Sequence, residues 1–388
     1  MNFFLASFFL LYSTLHFYVF LKLKRAYPLG KRAGICITIF MFIMVFAPVT
    51  VRLMEKAGHD DFARFMAYVG YTWMVVLFLF FSISICIDFL RLCVYLAGLI
   101  SKSDVSKFIH ADRYFFVVPF VCALLVTPYG FYEATQIRIE KITIKTPKIQ
   151  KNAGTIRIVQ ISDVHIGLII GEKRMEQIAD KIRDIKPDIL VSTGDLIDGR
   201  FNKLKTSIEP LKRINPTYGK FAITGNHEYY AGIDASIDFM EQAGFKVLRG
   251  RGVDVVGIIN IVGVDDAAGV NFTNNFIYER TLLSGLPQEK FTILLKHRPV
   301  VDHGAVDFFD LQLSGHTHKG QIFPFRYVVK IFFPLYTGLH KMSDKSYLYT
   351  SSGTGTWGPP MRFLAPPEIT VIELVHDAVQ GLTFEVQG

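Results

Sequence analysis

Five short blocks in the second half of the chain gather residue types that bind divalent metals. They are Asp163-Val164-His165, Gly194-Asp195-Leu196-Ile197-Asp198, Gly225-Asn226-His227-Glu228, His297, and Gly315-His316-Thr317-His318. Carboxylate, amide and imidazole donors suit Mn, Fe or Zn, and the set is large enough for two ions. Two ions about 3.5–4 Å apart clamp an in-line displacement at phosphorus and activate water at neutral pH. The residues therefore read as those of a metal-dependent phosphoesterase.

Such ligands must be carried on rigid elements, and the sequence around each block supplies them. Ile137, Ile139, Ile142 and Ile144 lie in near alternation among charged residues, as in a half-buried strand. Residues 155–162 predict a second strand ending at Asp163, and residues 172–185 a helix with Ile178, Ile182 and Ile185 on one face. Residues 188–193, 221–224 and 291–296 predict buried strands that run into Asp195, Asn226 and His297. Every such block falls just past the carboxyl end of a predicted strand, where open α/β sheets place their sites. About thirty residues separate Asp163 from Asp195 and Asp195 from Asn226, a length that suits strand–helix–strand crossovers. His303, His340 and His376 match no block and read as ordinary polar residues. Asp265 and Asp266 read as a turn, or as support behind the ligands.

The first half of the chain has a different composition. Of 388 residues, 51% are hydrophobic and 35 are Phe, high for a soluble protein. The excess is local: residues 2–21, 33–51, 67–87 and 114–132 contain no Asp, Glu, Lys or Arg, and each is long enough to cross a bilayer. This predicts a helical transmembrane domain over residues 1–135, with three to four crossings, and a catalytic domain over residues 136–388. The first stretch lacks a basic leader and a small-residue cleavage site, so it is expected to be a retained helix. The third runs on past Asp88 and Arg91, which are spaced to pair on one helix face. That pair reads either as an intramembrane polar site or as a helix leaving the bilayer.

Charge follows the same division. Residues 1–150 hold 16 Lys and Arg against 8 Asp and Glu, whereas the other 238 residues hold 26 of each. The basic balance thus belongs to membrane-flanking segments that meet anionic headgroups, and the catalytic half has no surplus for binding nucleic acid. All four cysteines lie in the first half, which leaves no disulfide frame and no cysteine zinc site in the second. Sidedness stays open. Lys22, Lys24, Arg25, Lys31 and Arg32 in the first loop place the catalytic half outside after four crossings, while Arg138, Lys141, Lys145, Lys148 and Lys151 argue for the cytoplasm.

In the order D-x-H, G-D-x-x-D, G-N-H-[DE], H, G-H-x-H, the blocks resemble the calcineurin-like metallophosphoesterase family over roughly residues 150–388. The resemblance implies an α/β fold, a two-sheet αββα sandwich with a dimetal site at its edge. It implies that Asp163, His165 and His318 bind the first metal, that Asp195 bridges, and that Asn226, His297 and His316 complete the second. It casts His227 as a general acid or charge stabiliser at the leaving-group oxygen, oriented by Asp198, with no covalent intermediate. Protein phosphatases of the family continue the second block as G-D-x-V-D-R-G. Here Gly199 follows Asp198, so the arginine is displaced to Arg200; this counts against protein-phosphatase activity and leaves Arg200 as a candidate contact for substrate phosphate.

Further along, Lys319-Gly320-Gln321-Ile322, the stretch from Ser352 to Pro360, and Ala365-Pro366-Pro367-Glu368-Ile369 are similar to the membrane-anchored bacterial branch of the family. That branch includes enzymes similar to UDP-2,3-diacylglucosamine pyrophosphatases of lipid A synthesis. Between these motifs lies an aromatic run that includes Phe323 and Phe325, together with Arg326 and Lys330. It reads as a surface that meets headgroups or an acyl chain, or as a buried strand pair. The resemblance implies two divalent ions, with manganese expected and iron or zinc as alternatives. The expected substrate is a membrane lipid or nucleotide-linked lipid, at the bacterial inner membrane with a cytoplasmic-facing site. The rival readings are an outward-facing phosphatase of another envelope lipid and a non-catalytic membrane sensor, the latter disfavoured by the complete ligand set.

Overall fold

The computed structural model describes residues 2–199, 204–271, 279–377 and 382–387. The chain divides into two compact units, Met1–Tyr132 with Gly358–Pro360, and Glu133–Trp357 with Met361–Gly388.

The first unit is helical: α1 (Asn2–Ala26), α2 (Lys31–Lys56), α3 (Asp60–Ser101), the single turn α4 (Ser106–Ile109) and α5 (Asp112–Thr135), which runs into the second unit. Four of them, all but α4, are long and apolar enough to cross a membrane. The 42 residues of α3 span about 63 Å, roughly twice a hydrocarbon core, so the third apolar stretch and its polar extension form one continuous helix. Asp88 on α3 is not confined to a local pair. Its carboxylate accepts hydrogen bonds from Lys22 Nζ at 2.5 Å and Tyr18 Oη at 2.6 Å, both on α1, and lies 3.8 Å from Arg91. Arg91 in turn donates to Asp112 of α5 at 3.1 Å. These charge pairs tie α1, α3 and α5 together.

The second unit is a two-sheet sandwich. Its strands are β1 (Arg138–Thr146), β2 (Ile156–Ile161), β3 (Ile189–Ser192), β4 (Lys220–Ala222), β5 (Phe245–Val247), β6 (Arg251–Val255), β7 (Ile259–Gly263), β8 (Phe291–Leu295), β9 (Leu311–Ser314), β10 (Gly338–Lys341), β11 (Tyr347–Thr350), β12 (Glu368–His376) and β13 (Thr383–Gln387). One sheet has the order β13-β1-β12-β2-β3-β4-β5 and the other β10-β11-β9-β8-β7-β6. Strands β2 to β5 pair in parallel, as do β7, β8 and β9, so their carboxyl ends share one edge of each sheet.

Alternation along the strands builds the layers. Ile156 and Ile158 of β2, Ile189 and Val191 of β3, and Phe221 of β4 pack against Ile259, Ile261, Phe291, Ile293, Leu311 and Leu313 of the opposite sheet. The intervening Val159, Ile161, Leu190 and Ala222 face the outer helices α6 (Glu172–Ile185) and α9 (Ile233–Gln242). Helix α6 buries Met175, Ile178, Ala179 and Ile182, the spacing of one helical face. On the far side, Val262 and Leu294 pack against Leu283 of α10 (Glu279–Ser284). The layers are therefore helix, sheet, sheet, helix, with the parallel strands β2 to β5 and β7 to β9 feeding one edge. Three further α-helices lie among the described residues of the unit: α7 (Leu204–Lys212), α8 (Asn226–Ala231) and α11 (Arg326–Phe332).

Candidate metal centre

The loops leaving β2, β3, β4, β8 and β9 converge at that edge. Asp163 and His165 follow β2, Asp195 follows β3, and Asn226 opens α8 after β4. His297 follows β8, and His316 and His318 follow β9. All but His316 are buried. The turns are sharp: Asp163, His165, Asp195, His316 and His318 have φ of +52°, +56°, +50°, +72° and +48°. Non-glycine residues seldom adopt this left-handed conformation, and such residues cluster at functional sites.

The side chains meet closely. His165 Nε2 lies 3.0 Å from His318 Nε2, and His316 Nδ1 lies 3.1 Å from His297 Nε2. Asp195 Oδ2 is 3.2 Å from His297 Nε2 and 3.9 Å from His165 Nε2, so it stands between the two histidine pairs. Asp163 lies 3.5 Å from His318 and accepts from the backbone N–H of His316 at 2.9 Å. His297 Nδ1 donates to the carbonyl of Thr193 at 2.9 Å, which directs Nε2 toward Asp195 and His316. Two glycines are required by contact: a Cβ at Gly225 would lie 2.2 Å from Asp195 Oδ1, and one at Gly315 would lie 1.9 Å from Ser162 Oγ.

The protonation of three of the candidate ligand histidines suits metal binding. His165 is pushed down to about 3 by burial first and by the neighbouring His227, and His316 to about 3 by burial and then His297. His318 falls far below the ordinary value through burial and the Arg362 guanidinium. These rings are neutral at neutral pH, the form with a lone pair to give. Burial also acts against charge on His297, but the Asp195 carboxylate outweighs it and raises His297 to about 10. Asp195 lies well below the usual carboxylate range, since His297 and His227 overcome its burial, whereas burial pushes Asp163 up to about 6.

Two divalent ions fit this donor set. Asn226 Oδ1 and His165 Nδ1 are buried without a hydrogen-bond partner among the described residues, and an orphaned buried acceptor costs about 1–3 kcal/mol unless something takes it. A cation beside Asn226 would. Ligand atoms lie within 4.8 Å of one another in three groups: Asp163 with His165 and His318, Asp195 with His297 and His316, and His165 with Asp195 and His227. The last group brings in His227, yet its Nδ1 is already bonded to Asp198 at 2.9 Å. Burial counts against a charge on His227, but Asp195 and the Asp198 hydrogen bond raise it to about 9.

Other candidates are placed as follows. Arg200 lies outside the described residues. Phe323 is half-buried beneath the Arg326 guanidinium, 4.8 Å from its ring centroid, and Phe325 is exposed. Asp265 and Asp266 hold Arg249 and Arg298, at 2.9 and 2.8 Å.

Two residues without an assigned role in the motif reading brace the centre. Glu228 is fully buried and accepts four backbone N–H groups. Oε2 takes those of Gly225 at 2.7 Å and Asp195 at 3.0 Å, and Oε1 those of Leu196 at 2.8 Å and Ile197 at 3.1 Å. Arg362, also fully buried, donates to the carbonyls of His318 at 2.9 Å, Ser352 at 2.7 Å and Ala365 at 3.2 Å, and contacts His318 Nδ1 at 3.2 Å. The fourth position of the G-N-H-[DE] block could have pointed to Glu228. Nothing local distinguishes Arg362, whose partners lie in three separate segments.

The sandwich and its edge of Asp, Asn and His residues define a metal-dependent phosphoesterase. Residues 156–320 match the model of the calcineurin-like phosphoesterase family. An uncharacterized metallophosphoesterase of Aquifex aeolicus is 40% identical over 254 residues, 65% of this chain and 97% of that one. Another, of Campylobacter jejuni, is 32% identical over 349 residues, 86% of this chain and 88% of its own. The chain belongs to the calcineurin-like phosphoesterase family. A transmembrane protein with metallophosphoesterase domain from Danio rerio is 31% identical over 271 residues, 66% of this chain and 62% of that protein.

Proposed function

We propose that this chain is a membrane-anchored dimetal phosphoesterase that hydrolyses a lipid-linked phosphate, and that its substrate is UDP-2,3-diacylglucosamine, cleaved to lipid X and UMP. The observation that carries the hydrolytic part is the convergence of six Asp and His side chains with the His227–Asp198 pair at one edge of the sandwich. Four membrane-length helices in the same chain support a substrate that resides in a bilayer. The nucleotide-lipid itself rests on the motif resemblance between residues 319 and 369, and because UDP-sugars are cytoplasmic it places the catalytic unit on the cytoplasmic side of a bacterial inner membrane.

Asp163, His165 and His318 would hold one ion, Asn226, His297 and His316 the other, with Asp195 between them. Manganese is the proposed metal. Bound there, the two ions polarise a phosphoryl oxygen and lower the pKa of water. The chain's own residues do the rest. Asp198 accepts the Nδ1 proton of His227, fixing the ring so that Nε2 can give a proton to the departing oxygen. Water adds to phosphorus, the bridging P–O bond breaks, and the bridging oxygen leaves with the other phosphoryl group.

The test is release of UMP from UDP-2,3-diacylglucosamine by the detergent-purified chain with Mn, beside an Asp195→Ala control. Release that the substitution abolishes supports the whole reading. No release, with turnover of bis-p-nitrophenyl phosphate retained, overturns the nucleotide-lipid and turns the search to outward-facing chemistry on another envelope lipid.

A further inference from the structure

Eight residues after His318, helix α11 departs from the pattern of every other helix in the catalytic unit. None of its residues is buried, and it presents Tyr327 at 61%, Ile331 at 77% and Phe332 at 72% exposure. Val328 and the preceding Phe325 extend this apolar face. Scattered exposed apolar residues are ordinary, but five in eight consecutive positions form a patch.

The helix is anchored at both ends, before it to the strand-like segment at Phe363 and after it to the loop of His316. Before it, Phe323 donates its N–H to Phe363 O at 3.0 Å, and the Arg326 guanidinium covers the Phe323 ring. After it, Phe333 packs edge-on against the ring of His316 with centroids 5.0 Å apart, and Thr317 Oγ1 donates to Tyr336 O at 2.6 Å. The patch is therefore fixed relative to the metal centre.

Charge identifies what covers it. From Leu311 to Ser343 the chain has no Asp or Glu, while Lys319, Arg326 and Lys330 are basic; Lys341 is paired with Asp344 at 2.7 Å. Exposed aromatic and aliphatic side chains interspersed with basic ones suit the headgroup layer of an anionic bilayer. A bilayer is also the partner that the four membrane-length helices of this chain bring within reach.

We propose that α11 is an interfacial helix that inserts Tyr327, Val328, Ile331 and Phe332 into an anionic membrane surface and so sets the metal centre at the headgroup level. The inference rests on the membrane-anchored reading given above, and it adds that the substrate phosphate is met at the bilayer surface and not drawn out into water.

The full chain, with Cys36, Cys86, Cys93 and Cys122 replaced by Ala, is spin-labelled at Ile331→Cys and reconstituted into vesicles of phosphatidylethanolamine and phosphatidylglycerol. Lys212→Cys on α7, whose native side chain is 62% exposed, is the aqueous reference. The expected result is that the Ile331 label collides more with oxygen than with a water-soluble nickel chelate, and the Lys212 label the reverse. A Ile331 label as aqueous as the reference overturns the proposal. In the native cysteine background, Ile331→Glu with Phe332→Glu is expected to slow hydrolysis of a vesicle-borne lipid phosphate about tenfold, with the rate on soluble bis-p-nitrophenyl phosphate unchanged. Equal rates of the variant and native chains on the lipid overturn it as well. The depth measurement needs no turnover, so a chain that hydrolyses neither substrate sinks the enzymatic reading while leaving the interfacial one to be decided by the label.

Discussion

Replacing Glu228 by Gln isolates the support behind the metal centre from the ligands themselves. The carboxylate accepts two N–H groups at each oxygen, from Gly225 and Asp195 on one side and from Leu196 and Ile197 on the other. Glutamine keeps one oxygen and sets an NH2 in place of the other, so two buried N–H groups lose their acceptor and face a donor. At about 1–3 kcal/mol for each unsatisfied group the loss is about 2–6 kcal/mol, a large share of the stability of a typical domain. For a domain of this size that is a fall in Tm of at least about 4 °C. Whichever way the amide turns, the backbone at Asp195 or just after it is released, so metal affinity is expected to drop about 10–100-fold. Thermal unfolding of the full chain in detergent and metal content after dialysis measure the two effects. Burial raises Glu228 to about 7, with Asp195 adding to it. An unchanged Tm and undiminished metal retention would mean that the residue already serves as a neutral acid, and the argument from an anionic clamp would be refuted.

Other expectations follow from the same geometry. His227→Ala should slow hydrolysis of an alkyl phosphodiester, whose alkoxide needs a proton to depart, about 10²–10⁴-fold, and much less for p-nitrophenolate, which needs none; equal losses on both would remove the proton-donor role. Gly315→Ala places a methyl 1.9 Å from Ser162 Oγ and 2.2 Å from Asp163 Oδ2, so it should cost about 1–3 kcal/mol by overpacking and weaken metal binding, both readable by unfolding with and without Mn. Chelation should lower Tm, because ligands that bind only the folded state stabilise it by mass action; a Tm indifferent to EDTA and to added Mn would count against the site.

The residues that the structure brings together at this edge were legible because their chemistry is local. Asp163, Asp195, Asn226 and His297 each follow a short buried strand, and the strand and the motif are read within ten residues of one another. Helix α6 was equally plain, because Ile178, Ile182 and Ile185 fall on one face, all packed on the core. Strands β6 and β10 were not: Arg251–Val255 and Gly338–Lys341 lie mostly on the surface and are held by pairing with β7 and β11, which local periodicity does not reveal. The aromatic run after His318 admitted both a surface and a buried strand pair, and only the tertiary structure makes it an exposed helix. Asp88 and Arg91 were spaced for a local pair, yet the shorter contacts are to Lys22 and Asp112 on other helices. Arg362 was invisible for a related reason, since a single arginine reads as a surface residue until its carbonyl partners are assembled.

The conformations at the centre explain why so much of the surrounding structure is devoted to holding it. Five of the seven ligand-type residues sit at positive φ, at a cost of about 1–3 kcal/mol each, and the centre also buries two carboxylates that repel one another. No single contact offsets that. The backbone N–H groups turned toward Asp163 and Glu228 offset part of it, and Arg362 spans the loops that carry His318 and residues 352–355. In the 352–355 loop, Thr354 and Gly355 donate in turn to the carbonyls of Ser162 and Asp163. Arg362 thus reaches two ligand segments from behind, placing a cation where buried carboxylates need one and where no metal can sit. The repulsion is what metal binding would relieve: an ion held by these residues would offset the like charges of Asp163 and Asp195 and give Asn226 a partner. Activity and stability at this edge are consequently coupled, and substitutions at Glu228 or Arg362, neither of which is a ligand, should disturb both.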